Sequence, residues 1–167
     1  YVHTTLVGQL ALYLTMYSPL QMVADLPENY KKYNDAFQFI KDVPCNWSRS
    51  IYLEAEPADY ITVARQDKNS NDWYIGGKCD ENGHKSVLKL DFLDKDYVYD
   101  CTIYADAKNA DYKNNPKAYK ITHRKVKKGD VLKLTMAPGG GFAISLEARW
   151  NGEEHAEQLT KVNNTVF

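Results

Sequence analysis

No G-x-S-x-G nucleophile elbow, no CxxC pair and no two histidines at metal-ligand spacing occur anywhere in this chain. Each absence removes a class of chemistry. Without the elbow there is no serine-hydrolase signature, and no cysteine has a histidine in an identifiable arrangement with it. The three cysteines, Cys45, Cys79 and Cys101, are too far apart for a zinc site, and His3, His84, His123 and His155 are scattered. Excess charge is missing as well. Twenty-one Lys and Arg against 22 Asp and Glu leave a net charge of −1, no field to attract nucleic acid or an anionic membrane. "HRKVKK" therefore reads as a solvated strand end. The longest apolar run, "LALYLTMYSPLQMVA", contains Pro19 and Gln21 and falls short of the roughly 20 residues of a membrane helix. A soluble chain is expected. It begins at Tyr1 without a charged, then apolar leader, as a mature or truncated chain would.

What is present has two periodicities. From Thr4 to Tyr17, Leu6, Leu10, Leu14 and Tyr17 recur every three or four residues, the spacing of a helix with one apolar face. Thr4 or Thr5 can cap its start. Pro19 drives the residue before it out of the helical region, so the helix stops by Ser18. "PLQMVAD" is then a short apolar run between breakers, the pattern of a strand buried on both faces. Pro27 opens a second helix in which Tyr30, Tyr33, Phe37 and Ile40 form one stripe. Helix, buried strand, helix is a piece of an α/β layer, and such a strand needs neighbours for its backbone groups.

After Pro44 the period becomes two. Alternation at Ile51–Leu53–Ala55, Leu88–Leu90–Phe92, Tyr97–Tyr99–Cys101–Ile103, Leu132–Leu134–Met136 and Phe142–Ile144–Leu146–Ala148 predicts strands. "YITVARQ", "WYIGGK" and "YKITHRK" bring the number to about eight, separated by "KNSND", "ENG", "LDKD", "KKGD" and "PGGG". The expected fold is mainly β: an antiparallel eight-stranded β-sandwich over residues 44–150, preceded by helix–strand–helix over 1–43 and followed by a polar tail over 151–167. "NADYKNNPK" is the longest loop and the one expected to move most. Cys79 and Cys101 fall in neighbouring predicted strands; they either pair in an oxidising compartment or are two buried thiols.

The tempting motifs fail on their own terms. "DKNSND" from Asp67 mimics a calcium loop but lacks the glycine at position six, and position twelve is Lys78. "APGGGF" joins two strands, whereas a phosphate cradle needs a helix N-terminus behind it. Glu54 and Glu56 stand on one strand, about 7 Å apart by strand geometry, but a glycosidase needs carboxylates that flank a substrate from two sides. A solvated pair is expected. Asn46-Trp47-Ser48 and Asn163-Asn164-Thr165 are sequons, meaningful in a eukaryotic secretory pathway. Trp73, Tyr74 and Tyr112, taken as exposed, offer rings on which a sugar can stack.

"HTTLVGQLALYLTMYSPLQMVADLPENY", "DAFQFIKDVPCNW", "YITVARQDKNSNDWYIGG", "IYADAKNADY" and "LKLTMAPGGGFAISL" together resemble the C-terminal end of glycoside hydrolase family 97. The similarity runs from Tyr1 to about Leu146, and the tail beyond Arg149 departs from it. The resemblance implies a parent with an N-terminal β-supersandwich, a catalytic (β/α)8 barrel and a C-terminal β-sandwich. It also implies hydrolysis of α-glucosides or α-galactosides, a need for calcium, and a periplasmic or secreted bacterial location. The family's calcium glutamates, general acid, and base or nucleophile belong to upstream segments, so no catalytic or metal residue transfers to this chain.

On that resemblance the helix from Thr4 is the barrel's seventh, "PLQMVAD" its eighth strand, and Glu28 to Lys41 its eighth helix. Barrel active sites lie at the C-terminal ends of strands. Asp25, and less so Gln21, would stand at the substrate rim; for Asp25 the competing role is N-cap of the helix that Pro27 opens. The expected function is a C-terminal fragment that supports the catalytic barrel, inactive alone, binding no cofactor, with the rest of the glycosidase as partner and α-linked oligosaccharide reached through that parent. The alternative is a carbohydrate-binding β-sandwich module.

Overall fold

The computed structural model describes residues 4–16 and 32–151. Gln21, Asp25 and the expected strand "PLQMVAD" lie outside the described residues, as does the tail from 152 onward.

Among the described residues, two helices precede eight strands: α1 (Leu6–Thr15), α2 (Asn34–Asp42), β1 (Trp47–Glu56), β2 (Tyr60–Asp67), β3 (Trp73–Cys79), β4 (His84–Lys89), β5 (Tyr97–Asp106), β6 (Tyr119–Val126), β7 (Val131–Met136) and β8 (Gly141–Trp150). All pairings are antiparallel. Six strands form one sheet in the order β1-β2-β3-β8-β5-β6, and β4 pairs with β7 alone. The two-stranded sheet covers one face of the large sheet. Between them lies the main core, with Trp73, Ile75, Tyr99, Phe142, Ile144 and Leu146 meeting Leu88, Leu90, Leu132 and Met136.

The opposite face is not solvated. Val7, Leu10 and Leu14 of α1 and Ala36 and Phe39 of α2 pack there on Val63, Tyr74, Tyr104 and Ala143. Strict alternation therefore fails in the centre of the sheet: Trp73 to Gly77 are buried without a break, as are Gly141 to Ile144. Strands covered on both sides lose the polar half of their pattern. The backbones of α1 and β3 approach so closely that a Cβ on Gly76 would stand 2.6 Å from the Cβ of Leu14.

The face of α2 differs from the expected stripe. Phe39, and not Phe37, is the buried anchor, held edge-on between Tyr74 (6.3 Å) and Tyr104 (5.4 Å). Which ring turns inward is decided by the gap between those two tyrosines. Trp73 and Tyr74, 2% and 6% exposed, and Tyr112 at 9% are likewise inside and offer no platform for a sugar.

Cys79 and Cys101 are two buried free thiols in the main core, and Cys45 is exposed. Burial pushes the Cys101 thiol up to about 12 and raises Cys79 as well, which withholds the thiolate that reacts. In Ellman titration at pH 8 the native chain is expected to release about one equivalent of thionitrobenzoate promptly and three after denaturation. Prompt release of three would show that the core opens on that timescale.

Candidate functional site

The interface where α1 meets the large sheet is the most constructed polar site among the described residues. α1 carries no acidic residue in its first turn and no basic residue in its last, so its own sequence leaves both ends of the helix dipole uncompensated. The sheet supplies the missing charges. At the N-terminus, Thr5 caps the helix by accepting the Gly8 N–H at 3.0 Å, and the same hydroxyl donates to Asp106 Oδ1 at 2.7 Å. Asp106 closes β5 and is 6% exposed. Its Oδ2 accepts the Gly141 N–H at 2.9 Å and the Ala137 N–H at 3.1 Å. One carboxylate thus joins α1, β5 and the β7–β8 turn.

Backbone bonds reinforce that corner. The Thr5 N–H donates to Gly139 O at 3.1 Å, the Leu6 N–H to Pro116 O at 2.7 Å, and the Gly139 N–H to Asp80 O at 2.7 Å. "APGGGF" is the turn the sequence predicted, and it also holds α1. Gly139 takes a φ of 66°, and a Cβ on Gly140 would fall 1.9 Å from Asp106 Oδ2. Lys78 Nζ donates to Gly139 O at 2.9 Å. Burial raises the pKa of Asp106 against the pull of its hydrogen bonds to Thr5, Gly141 and Ala137 and of the Lys78 charge; burial lowers that of Lys78.

At the other end of α1, the guanidinium of Arg65, 4% exposed, donates from Nε to Leu14 O at 2.6 Å and from Nη1 to Ser50 Oγ at 2.8 Å. A cation against the last carbonyls of a helix is favourable, and more so where water is excluded. Helix α1 is therefore held at both ends by buried charges of the sign its dipole calls for.

A second polar cluster looks more like catalysis and is not. A register shift between Tyr52 and Glu54 bulges β1 and turns Glu54 between the sheets. Ser86 Oγ donates to Glu54 Oε2 at 2.8 Å, Thr62 Oγ1 donates to it at 3.5 Å, and His84 Nε2 lies 3.4 Å away. The His84 ring stacks on Tyr60 at 3.6 Å. Ser86 is 1% exposed and directs its hydroxyl at a carboxylate, not at an imidazole, so it has neither an activating base nor access to substrate. The cluster pins β1 and β2 to β4. Glu54 is thus tied down, while Glu56 is exposed beside a groove of about 450 Å³ that Tyr60, Lys78 and Asp80 also line. The solvated pair expected from their spacing is not formed.

"DKNSND" is the β2–β3 turn: Asp67 accepts the Asn69 N–H at 3.2 Å and the Ser70 hydroxyl at 2.8 Å. The two charges that matter most, Asp106 and Arg65, were not singled out from the sequence. Their only signal is a charged residue inside an apolar strand pattern, "YITVARQ" and "CTIYAD". Asp25 and Gln21 are outside the described residues, so the structure does not place them.

The family model described as "Glycosyl-hydrolase 97 C-terminal, oligomerisation" matches residues 46–147. Over 139 residues the chain is 35% identical to a retaining α-galactosidase of Bacteroides thetaiotaomicron, covering 83% of this chain and 20% of that protein. It is 25% identical over 143 residues to a probable retaining α-galactosidase of Streptomyces bingchenggensis, covering 86% and 20%. Among solved structures, a glycoside hydrolase family 97 enzyme from Pseudoalteromonas sp. in complex with panose superposes with a TM-score of 0.86 at 46% identity, over 88% of this chain and 23% of that one. A β-arabinopyranosidase matches with a TM-score of 0.68 at 26% identity, over 85% and 21%. The chain spans about a fifth of the length of the curated relatives it matches.

Proposed function

Because the chain belongs to the glycoside hydrolase 97 C-terminal family, we propose that it is the closing part of a longer α-glycosidase and serves to brace that enzyme's catalytic barrel. The observation that carries this reading is the clamp on α1. A helix packed on the sheet and held at both ends by Asp106 and Arg65 transmits position rigidly from whatever precedes it to the sandwich. In this reading residues 1–43 are the end of the (β/α)8 barrel and α1 is its seventh helix. Asp25 and Gln21 then lie at the end of the eighth strand, at the substrate rim. The oligomerisation named in the family description would add contacts between copies to the same supporting role.

The parent is proposed to hydrolyse α-linked galactosides or glucosides. The 35% identity to an α-galactosidase and the panose complex of the 46% identical enzyme support that class. Calcium would be held upstream; the described residues gather no cluster of His, Cys, Asp or Glu that fits such an ion. A periplasmic or secreted location follows from the same family reading.

The test has two arms. The 167-residue chain, given an aryl α-glucoside or α-galactoside with calcium, is expected to release no phenol above buffer; turnover would place catalytic residues within it. In the full-length parent, Asp106→Ala is expected to lower the temperature of irreversible inactivation while leaving kcat/KM at 25 °C within about twofold. An unchanged inactivation temperature would remove the bracing role.

A further inference from the structure

The aromatic residues that the chain does expose lie elsewhere than its sequence suggested. Trp150, the last residue of β8, is 51% exposed, whereas Trp73 is 2% exposed. Strand period two places Trp150 on the same face as Ala148 and Leu146, beyond the rim of the main core. It pairs in register with Tyr97 at the start of β5. The two rings meet edge to face, 5.6 Å between centroids and 79° between planes.

The pair is fixed from behind. Tyr97 leans on the buried Tyr99 at 6.3 Å, and its hydroxyl accepts the Asn71 Nδ2–H at 2.9 Å. The Asn151 N–H donates to Asp96 O at 3.1 Å, and the Ala148 N–H to Asp72 Oδ1 at 2.7 Å, which secures the strand on both sides of the indole. An indole this exposed but this well anchored presents a pre-set apolar surface with little left to order on binding. Polar groups border it. The Asn71 carbonyl oxygen has no partner among the described residues, and the exposed Asp96 adjoins Tyr97 in the chain.

An exposed indole, with the Tyr97 ring standing across it at 79° and hydrogen-bonding groups nearby, matches one class of small molecule particularly well. A pyranose ring has an apolar C–H face and a rim of hydroxyls; its face covers an indole while its hydroxyls reach an amide and a carboxylate. We propose that Trp150 and Tyr97, with Asn71 and Asp96 near them, form a surface binding site for α-linked oligosaccharide. The choice of α-linkage rests on the proposed parent activity; the choice of a pyranoside rests on the platform alone. Such a site would keep a polymeric or branched substrate on the parent enzyme and raise its effective concentration there.

The 167-residue chain is titrated with maltoheptaose, stachyose and cellohexaose, followed by calorimetry and by the indole N–H resonances of its three tryptophans. Saturable binding of maltoheptaose or stachyose is expected, with the shift confined to the resonance that disappears in Trp150→Ala. Trp150→Ala and Tyr97→Ala are each expected to weaken affinity at least about tenfold, and Trp150→Phe less, because a smaller ring still stacks. Unchanged near-ultraviolet circular dichroism outside the indole contribution, with a melting midpoint close to wild type, confirms that the variants fold. Binding of none of the three sugars, or equal binding by Trp150→Ala, overturns the platform and leaves the parent assignment standing. Binding of cellohexaose alone keeps the platform and overturns the α-linked reading.

Discussion

Asp106→Ala is expected to lower the unfolding free energy by about 4 kcal/mol and the melting midpoint by roughly 10 °C or more. The carboxylate is the acceptor for three donors at once: the Thr5 hydroxyl and the Ala137 and Gly141 N–H groups. Alanine leaves all three facing a buried gap, each at about 1–3 kcal/mol, reduced to the extent that water enters. It also removes the negative charge from the N-terminus of α1. Asp106→Asn separates these effects. Its carbonyl oxygen can take both backbone N–H groups while its amide donates to the Thr5 oxygen, so it is expected to cost only about 1 kcal/mol. Thermal unfolding followed by circular dichroism checks both variants, and equal losses would show that geometry at this corner is not what stabilises it.

The pH profile carries a further signature of the same group. Burial raises the pKa of Asp106 in the folded chain above its ordinary value, so between the two values the folded state binds more protons than the unfolded state. Stability from this group therefore increases as the pH falls through the raised pKa and is least above it. The stability of wild type relative to Asp106→Asn is expected to grow on acidification from neutrality through that window. A difference that shrinks on acidification would mean that the hydrogen bonds, and not burial, dominate the shift.

Gly76→Val is expected to free α1 from the sheet. A Cβ at position 76 would meet the Leu14 Cβ at 2.6 Å and the Ala11 carbonyl at 3.0 Å. Neither is the far end of a flexible side chain, so the helix itself must move. Overpacking of this kind costs about 1–3 kcal/mol by itself, and displacement of α1 also exposes Val7, Leu10 and Leu14, now 1% exposed or less, at about 1.5–3 kcal/mol for each side chain fully exposed. Hydrogen exchange monitored by mass spectrometry is the measurement. Amides of α1 should lose protection at least about a hundredfold more than those of β8, because local undocking is cheaper than global unfolding. Equal loss in both would show that helix and sheet form one cooperative unit; no loss would refute the close approach.

The strands were legible because alternation is local. The patterns at Tyr99–Cys101–Ile103, Leu132–Leu134–Met136 and Phe142–Ile144–Leu146 name inward positions correctly without knowledge of any partner. A threonine cap was equally local, although only the structure chooses Thr5 over Thr4. The face of α2 was misjudged because several faces of an aromatic-rich helix are plausible, and only the gap between Tyr74 and Tyr104 selects Phe39. The burial of Trp73 and Tyr74 is hidden for a similar reason: an aromatic in a strand can face water or core, and its own neighbours in the chain do not say which. Tyr112, in the loop between β5 and β6, is buried by packing that its loop sequence does not encode.

By itself the sequence determined the change of period after Pro44, the number of strands and their turns, the absence of catalytic motifs, and the family resemblance that the comparisons support. Only the tertiary structure decided the sheet order, the helical layer on the far face, the hydrogen bonds of Asp106 and Arg65 to α1, and the exposure of Trp150. The reason is range. Propensity and periodicity act over a turn or a strand, whereas Thr5 and Asp106 are 101 residues apart in the chain. A buried charge acquires its meaning from a helix end that another part of the chain delivers.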